Sequence, residues 1–391
     1  MDFTIYNKIY RIAKREVSRI TIRPLYLFCI IIAPLLSYIF FTTLMWSGLP
    51  TKMPIGMVDL DNTVTTRSIA RNLDAFQQVK IVEHYASFSD ARKAMQQGQI
   101  YAFYYIPKGV TEKALASRQP KVSFYTNYSY MVAASLLYKS ERNVSELANA
   151  SVIRATLLAK GATNKQILSF IQPISIETHI LNNPWLNYSV YLSNTIIPGI
   201  LILLISMTTI YSIGSELKTN SQKEWMHMAD NSILVALTGK LLPQSILFYL
   251  MTVFYQIYLY GFLHYPCNGG ILPMLFAGLL LTLASQAFGI LLFGLFTTLR
   301  LSMSIASLWG VVSFSMSGMS FPVLAMSPIL QGLSFLFPLR SYFLIYVCSA
   351  LNGYSLIYAW KQIIILLIFI LLPFCILKRL SVILSQYTYI P

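Results

Sequence analysis

Acidic side chains are scarce in this sequence: 14 Asp and Glu stand against 29 Lys and Arg, and none follows Asp230. Only 11% of residues are charged, where a soluble domain holds about a quarter. The long apolar runs contain no carboxylate. That argues against a proton- or sodium-coupled carrier, which needs a group in the membrane to hold its cation. Cysteine is equally sparse. Cys29, Cys267, Cys348 and Cys375 are scattered without a CxxC spacing, so no zinc or thiol-redox motif is present, and a Cys267–Cys348 disulfide is left open. His84, His179, His227 and His264 fall into no metal-ligand pattern, and no Gly-x-Ser-x-Gly elbow occurs. The chain also lacks a P-loop: around Gly239-Lys240, Leu234 replaces the first glycine and Leu241 replaces the Ser or Thr. Any ATP hydrolysis therefore belongs to another polypeptide.

What is abundant is apolar: 56% of residues are hydrophobic. The net charge of +15 is not gathered into an aromatic-interleaved stripe, which argues against nucleic acid. Instead the basic residues flank apolar runs, as the sorting of membrane loops requires. A hydrocarbon core of about 30 Å needs roughly 20 apolar residues. Runs near 25–46, 190–213, 240–263, 271–297, 302–324 and 359–377 meet that length, predicting six spans. The first run is too long for a signal-peptide core and is expected to stay in the membrane.

Residues 1–23 read as an amphipathic interfacial helix, with Ile5, Ile9, Ile12, Val17 and Ile20 against Lys8, Arg11, Lys14, Arg15, Arg19 and Arg23. Residues 24–47 form the first span, and residues 48–187 then change composition, carrying alternating and helical patterns with 15 basic and 9 acidic residues before Leu186. Strands near 55–58, 79–82, 100–106 and 122–126 alternate with helices near 63–71 and 89–97, and a long helix runs from Val132 to Leu158. The expectation is an α-helical integral membrane protein of about six spans with an inserted extracytoplasmic α/β domain. Residues 188–391 carry the remaining five spans. Pro322, Pro328 and Pro338 mark 325–358 as a re-entrant external segment. Lys and Arg at the span ends predict both termini in the cytoplasm.

Two places carry candidate chemistry. Asp59-Leu60-Asp61-Asn62-Thr63 after a hydrophobic strand resembles the first motif of the haloacid dehalogenase phosphatases. That family needs a second acidic pair, which is missing here, so the better reading has both carboxylates holding a turn. The second place is the loop 214–240. Glu216, Lys218, Lys223 and Glu224 supply charge there, with Trp225 and Met226 on an apolar face, a composition suited to docking a soluble partner. An interfacial helix anchored by Trp225 is the plainer alternative.

The order of parts resembles the permeases of type-2 ABC exporters, in the branch with a large domain between spans one and two. Met53-Pro54-Ile55-Gly56-Met57-Val58-Asp59-Leu60-Asp61-Asn62 looks like that family's strand-then-DxDN segment. Gln97-Gly98-Gln99-Ile100-Tyr101-Ala102 with Ile106-Pro107, Asn183-Pro184 with Pro198-Gly199, Gly239-Lys240-Leu241-Leu242-Pro243, and Ser317-Gly318 with Phe321-Pro322 and Phe337-Pro338 follow in the family's order. Ser221-Gln222 stands where the family's coupling loop has Gly-Thr.

The resemblance implies a non-enzymatic permease that dimerises with itself or a paralogue. Cytoplasmic ABC ATPase subunits would supply ATP and Mg, and the chain itself would hold no cofactor. It also implies a bacterial inner-membrane location. Among possible partners are a periplasmic adaptor and an outer-membrane channel. Exporters of this kind move drugs, lipids or polysaccharides. The alternative in the same frame is an ATPase-driven assembly or mechanotransmission protein that passes no substrate.

Overall fold

A computed structural model describes residues 3–386 apart from 45, 47, 117, 174–176, 178, 180, 184 and 185, so Pro184 of the Asn-Pro motif lies outside the described residues. The chain forms two compact units, Met1–Trp46 with Leu181–Pro391, and Ser47–Ile180.

The first unit opens with α1 (Phe3–Ile22) and α2 (Pro24–Leu44). They separate at Arg23, so α1 ends one residue before the predicted helix end. A residue preceding proline is pushed out of the helical region, and Arg23 sits at φ −93°, ψ 115°. Pro24 then starts α2, where its missing N–H costs nothing. Within α2 the turns Phe28–Ile32 widen to π-helix just before Pro34. Proline cannot donate to the carbonyl four residues back and its ring crowds that oxygen, so the helix loosens there.

The second unit is a four-stranded sheet in the order β2-β1-β3-β4. Its elements run β1 (Met53–Asp59), α3 (Val64–Asp74), β2 (Val79–His84), α4 (Phe88–Gln96), β3 (Ala102–Ile106), α5 (Val110–Leu115), β4 (Ser123–Thr126), α6 (Met131–Ala159) and α7 (Asn164–Ile171). β1 pairs in parallel with β2 and β3, and β4 returns antiparallel to β3. Both faces are covered, as parallel strands require. Ile55, Met57 and Tyr104 pack with Leu73 and Leu137 on one side, while Val58 and Phe103 pack with Ala91 and Ala94 on the other.

The chain then returns to the first unit with α8 (Tyr188–Lys218), α9 (Gln222–Met228), α10 (Ile233–Phe262), α11 (Ile271–Phe296), α12 (Leu299–Met316), α13 (Pro328–Leu336), α14 (Pro338–Leu351), α15 (Leu356–Cys375) and α16 (Leu377–Gln386). Six of these helices, α2, α8, α10, α11, α12 and α15, are long and apolar enough to cross a membrane, and α13 and α14 bend by 92° at Phe337–Pro338. The fold is thus mainly α-helical, with six membrane-crossing candidates among the described residues and an inserted α/β unit. The fifth candidate stops at Met316, short of the expected 324, because Ser317 and Gly318 turn the chain, with Gly318 at φ 94°. The four cysteines are free, so Cys267 and Cys348 form no disulfide.

Candidate functional site

The segment 214–240 is mostly helical. Helix α8 runs on to Lys218 and α10 begins at Ile233, leaving only 219–221 and 229–232 outside helices around the short α9. Glu216 and Lys218 therefore belong to the last turn of α8, and Ile233–Leu237 to the first turns of α10.

Helix α1 crosses α10 at Gly239. A Cβ there would stand 2.8 Å from Ile12 Cβ and 3.2 Å from the Ile9 carbonyl oxygen, so only glycine lets the two helices approach this closely. That contact seats Ile12, Glu16 and Ile20, spaced four apart on one face of α1, in the interior of the unit.

Glu16 arrives buried and is fully engaged. It accepts from Lys240 Nζ at 2.6 Å, Gln244 Nε2 at 2.8 Å and Ser212 Oγ at 2.9 Å. Lys240, itself buried, also donates to Glu216 at 2.8 Å, and its ammonium lies 5.1 Å from the Trp225 ring centroid. Glu216 meets Arg15 through two bonds of 3.0 and 3.1 Å, and pairs further with Arg19 and the Ser221 hydroxyl. Arg15 reaches on to Glu224 at 3.9 Å. Three cations (Arg15, Arg19, Lys240) thus face the two buried anions Glu16 and Glu216, and Glu224 balances the third from the rim. A buried charge this well paired is tolerable, whereas one left alone costs several kcal/mol.

Of the six residues expected at a docking surface, three face outward and three do not. Lys218, Lys223 and Glu224 are exposed. Glu216, Trp225 and Met226 are buried inside the chain, with the Trp225 indole donating to the Ala236 carbonyl at 3.2 Å. The apolar face of α9 is therefore its anchor, and what it offers outward is Lys223, Glu224 and His227. Sequence reasoning missed Glu16, Lys240, Gln244 and Arg15 as one cluster. The signal was present: a single acid in a helix of basic residues, and a Lys and Gln four apart at the start of an apolar span.

Asp59 and Asp61 are occupied in holding the turn after β1. Asp59 Oδ1 accepts the backbone N–H of Asp61 at 3.0 Å and of Asn62 at 2.9 Å. Asp61 accepts Gly109 N at 2.6 Å, Thr111 N at 3.0 Å and Thr111 Oγ1 at 2.6 Å, capping α5. The Thr111 hydroxyl and these backbone donors hold the Asp61 carboxyl below its ordinary range. Among the described residues, no third Asp, Glu, His or Cys joins them in a group able to hold a metal.

A second feature lies on α8 and α12. Met207, Met303, Ser304, Ser307, Leu308 and Val311 line an open cavity of 560 Å³. α12 has the lowest mean hydropathy of the six candidate spans and leaves Ser304 and Ser315 exposed.

Residues 24–377 match the family model described as ABC-2 family transporter protein. No curated protein matches the chain.

Proposed function

The chain belongs to the ABC-2 transporter family and has the permease role of that family's membrane component, and on that premise we propose that it dimerises and couples to separate ATPase subunits to export a substrate. The observation that carries the coupling is the buried cluster of Glu16, Lys240, Glu216 and Arg15, which ties α1, α8, α9 and α10 into one piece. A push on the exposed Lys223 and Glu224 of α9 would pass directly into two spans and the interfacial helix. Rigid-body rocking of helices about an interface is an established way to turn such a push into an opening.

The basic N-terminal flank and Lys378-Arg379 favour cytoplasmic termini, in the inner membrane of a bacterium, with 48–187 outside. ATP and Mg would be bound by the motor subunits. The half-polar α12 face with Ser304 and Ser307 would meet a second permease, the same chain or a paralogue, and line the path. A lipid-facing helix has no use for exposed serines. That lining holds no carboxylate, which favours amphipathic or anionic substrates over permanent cations. A periplasmic adaptor and outer-membrane channel would extend the path in a double-membraned cell.

The test is purification of the tagged chain in mild detergent with identification of what accompanies it. A P-loop ATPase in near-equal amount, lost on Lys223→Glu with Glu224→Lys, is the expected result. An ATPase retained undiminished by that double variant would remove α9 from the coupling. Coupling without transport in vesicles would instead favour the assembly or mechanotransmission role.

A further inference from the structure

Beside the buried Glu16, the next flank of α1 walls an apolar crevice of 480 Å³. Val17 and Ile20 line it from α1, Leu27 and Ile31 from α2, and Leu242 and Ile246 from α10. Among the described residues of the wall Thr21 has the only polar side chain, and its hydroxyl is already spent on the Val17 and Ser18 carbonyls at 3.2 and 2.9 Å. Water entering this space would find no partner for its hydrogen bonds. The volume is that of a ligand site, and it opens outward, since Val17, Leu27, Leu242 and Ile246 are each about half exposed.

Two observations say what fills it. The crevice continues into a stripe on α10, Leu242, Ile246, Leu250, Phe254 and Ile257, exposed at every third or fourth residue along a membrane-crossing helix. An occupant therefore extends from the crevice into hydrocarbon. At the other end the rim is basic: Lys14 and Arg11 are exposed on α1, and Lys14 stands one turn before Val17 on the same side of the helix.

We propose that the crevice between α1, α2 and α10 holds one acyl chain of an anionic phospholipid from the adjoining leaflet, with its headgroup phosphate at Lys14. The lipid then packs α1 on one flank while the ion cluster holds it on the next. This site depends on the membrane alone and stands whether or not the chain exports anything.

The test is native mass spectrometry of the purified full-length chain in nonionic detergent, offered equal amounts of dioleoyl phosphatidylglycerol and dioleoyl phosphatidylcholine. Wild type should retain one phosphatidylglycerol in preference to phosphatidylcholine. Lys14→Gln should cut that preference about fivefold, the worth of one basic residue at an anionic surface. Val17→Trp, which fills the crevice, should abolish the retained lipid, and Ile368→Trp, exposed on α15 and outside both crevice and stripe, should leave it. Should Val17→Trp fail to fold, Ile246→Phe makes the same block from the opposite wall. Equal retention of both lipids by wild type and Lys14→Gln would overturn the headgroup assignment. Lipid retained undiminished by the filled variants, or a second copy of the chain in place of lipid, would overturn the site.

Discussion

Lys240 and Glu16 meet at 2.6 Å across 224 residues of sequence, both side chains buried. One belongs to a membrane-crossing helix and the other to a helix that carries five basic residues and a single acid. Neither would be stable there alone, because removing a charge from water is repaid only by a partner at contact distance. The pair therefore fixes where α1 lies on α10, and it does so through charge at a place where the two backbones already touch at Gly239.

Lys240→Met strands Glu16 and part of Glu216. The expected loss is about 3–5 kcal/mol, the range for breaking one side of a buried pair. Glu16→Leu combined with Lys240→Met should cost clearly less than the two single changes added together, since no lone charge remains. Thermal unfolding in micelles measures this, and strict additivity would mean the pair is not coupled.

Gly239→Val tests the backbone contact separately. Its side chain would enter the space held by Ile12 and the Ile9 carbonyl, so α1 must lift from α10. Hydrogen exchange across residues 5–22 should then rise while exchange within α11 stays unchanged. Unaltered protection of α1 would show that the contact does not hold the helix down.

The spans were legible because lipid imposes a length and a composition that any 20-residue window reveals, and the strands of the inserted unit because Ile55–Val58 and Ala102–Ile106 are short apolar runs closed by turn residues. The short helix α5 was not, since six residues behind Gly109 carry too little periodicity, and its start is set by Asp61, 48 residues earlier. The ion cluster was hidden for a similar reason. Charges at span ends are ordinary topology signals, and only packing of α1 against α8 and α10 turns Glu16, Glu216 and Lys240 inward. Trp225 allowed two readings in the sequence, a face for a partner or an anchor for its own helix, and the structure buries its side chain within the chain.

Asp61→Asn should weaken the inserted unit by about 1 kcal/mol, as the loss of a charged cap does, and leave any phosphatase background unchanged. The pH dependence has a definite sign. The folded carboxyl is held below its unfolded value of 3.8, so its contribution is present above that value and is lost as pH falls through the lower folded one. Proteolysis of residues 48–180 at pH 5 and pH 3 measures it. A variant that loses as much protection as wild type between those two values would show that Asp61 is not the group.

Glu141 gives the opposite pH dependence in the same unit. It is buried on α6, its Oε1 has no hydrogen-bond partner, and its Oε2 receives only a 3.5 Å bond from the Thr126 hydroxyl. Burial pushes its carboxyl up from 4.5 to about 8, with the Thr126 bond pulling weakly the other way. The protonated form is therefore the one the fold prefers. Its contribution is complete below the unfolded value of 4.5 and disappears as pH rises through about 8. Tyr104, bonded to Ser145 at 2.8 Å on the facing strand, offers Glu141 no counter-charge. Hydrogen exchange along residues 131–159 should accordingly be slow at pH 6 and faster at pH 9, after correction for the intrinsic base catalysis of exchange. Glu141→Gln keeps the shape and removes the proton, so it should flatten that difference and stabilise the unit at pH 9. A variant that still loosens with pH as wild type does would assign the transition to another group.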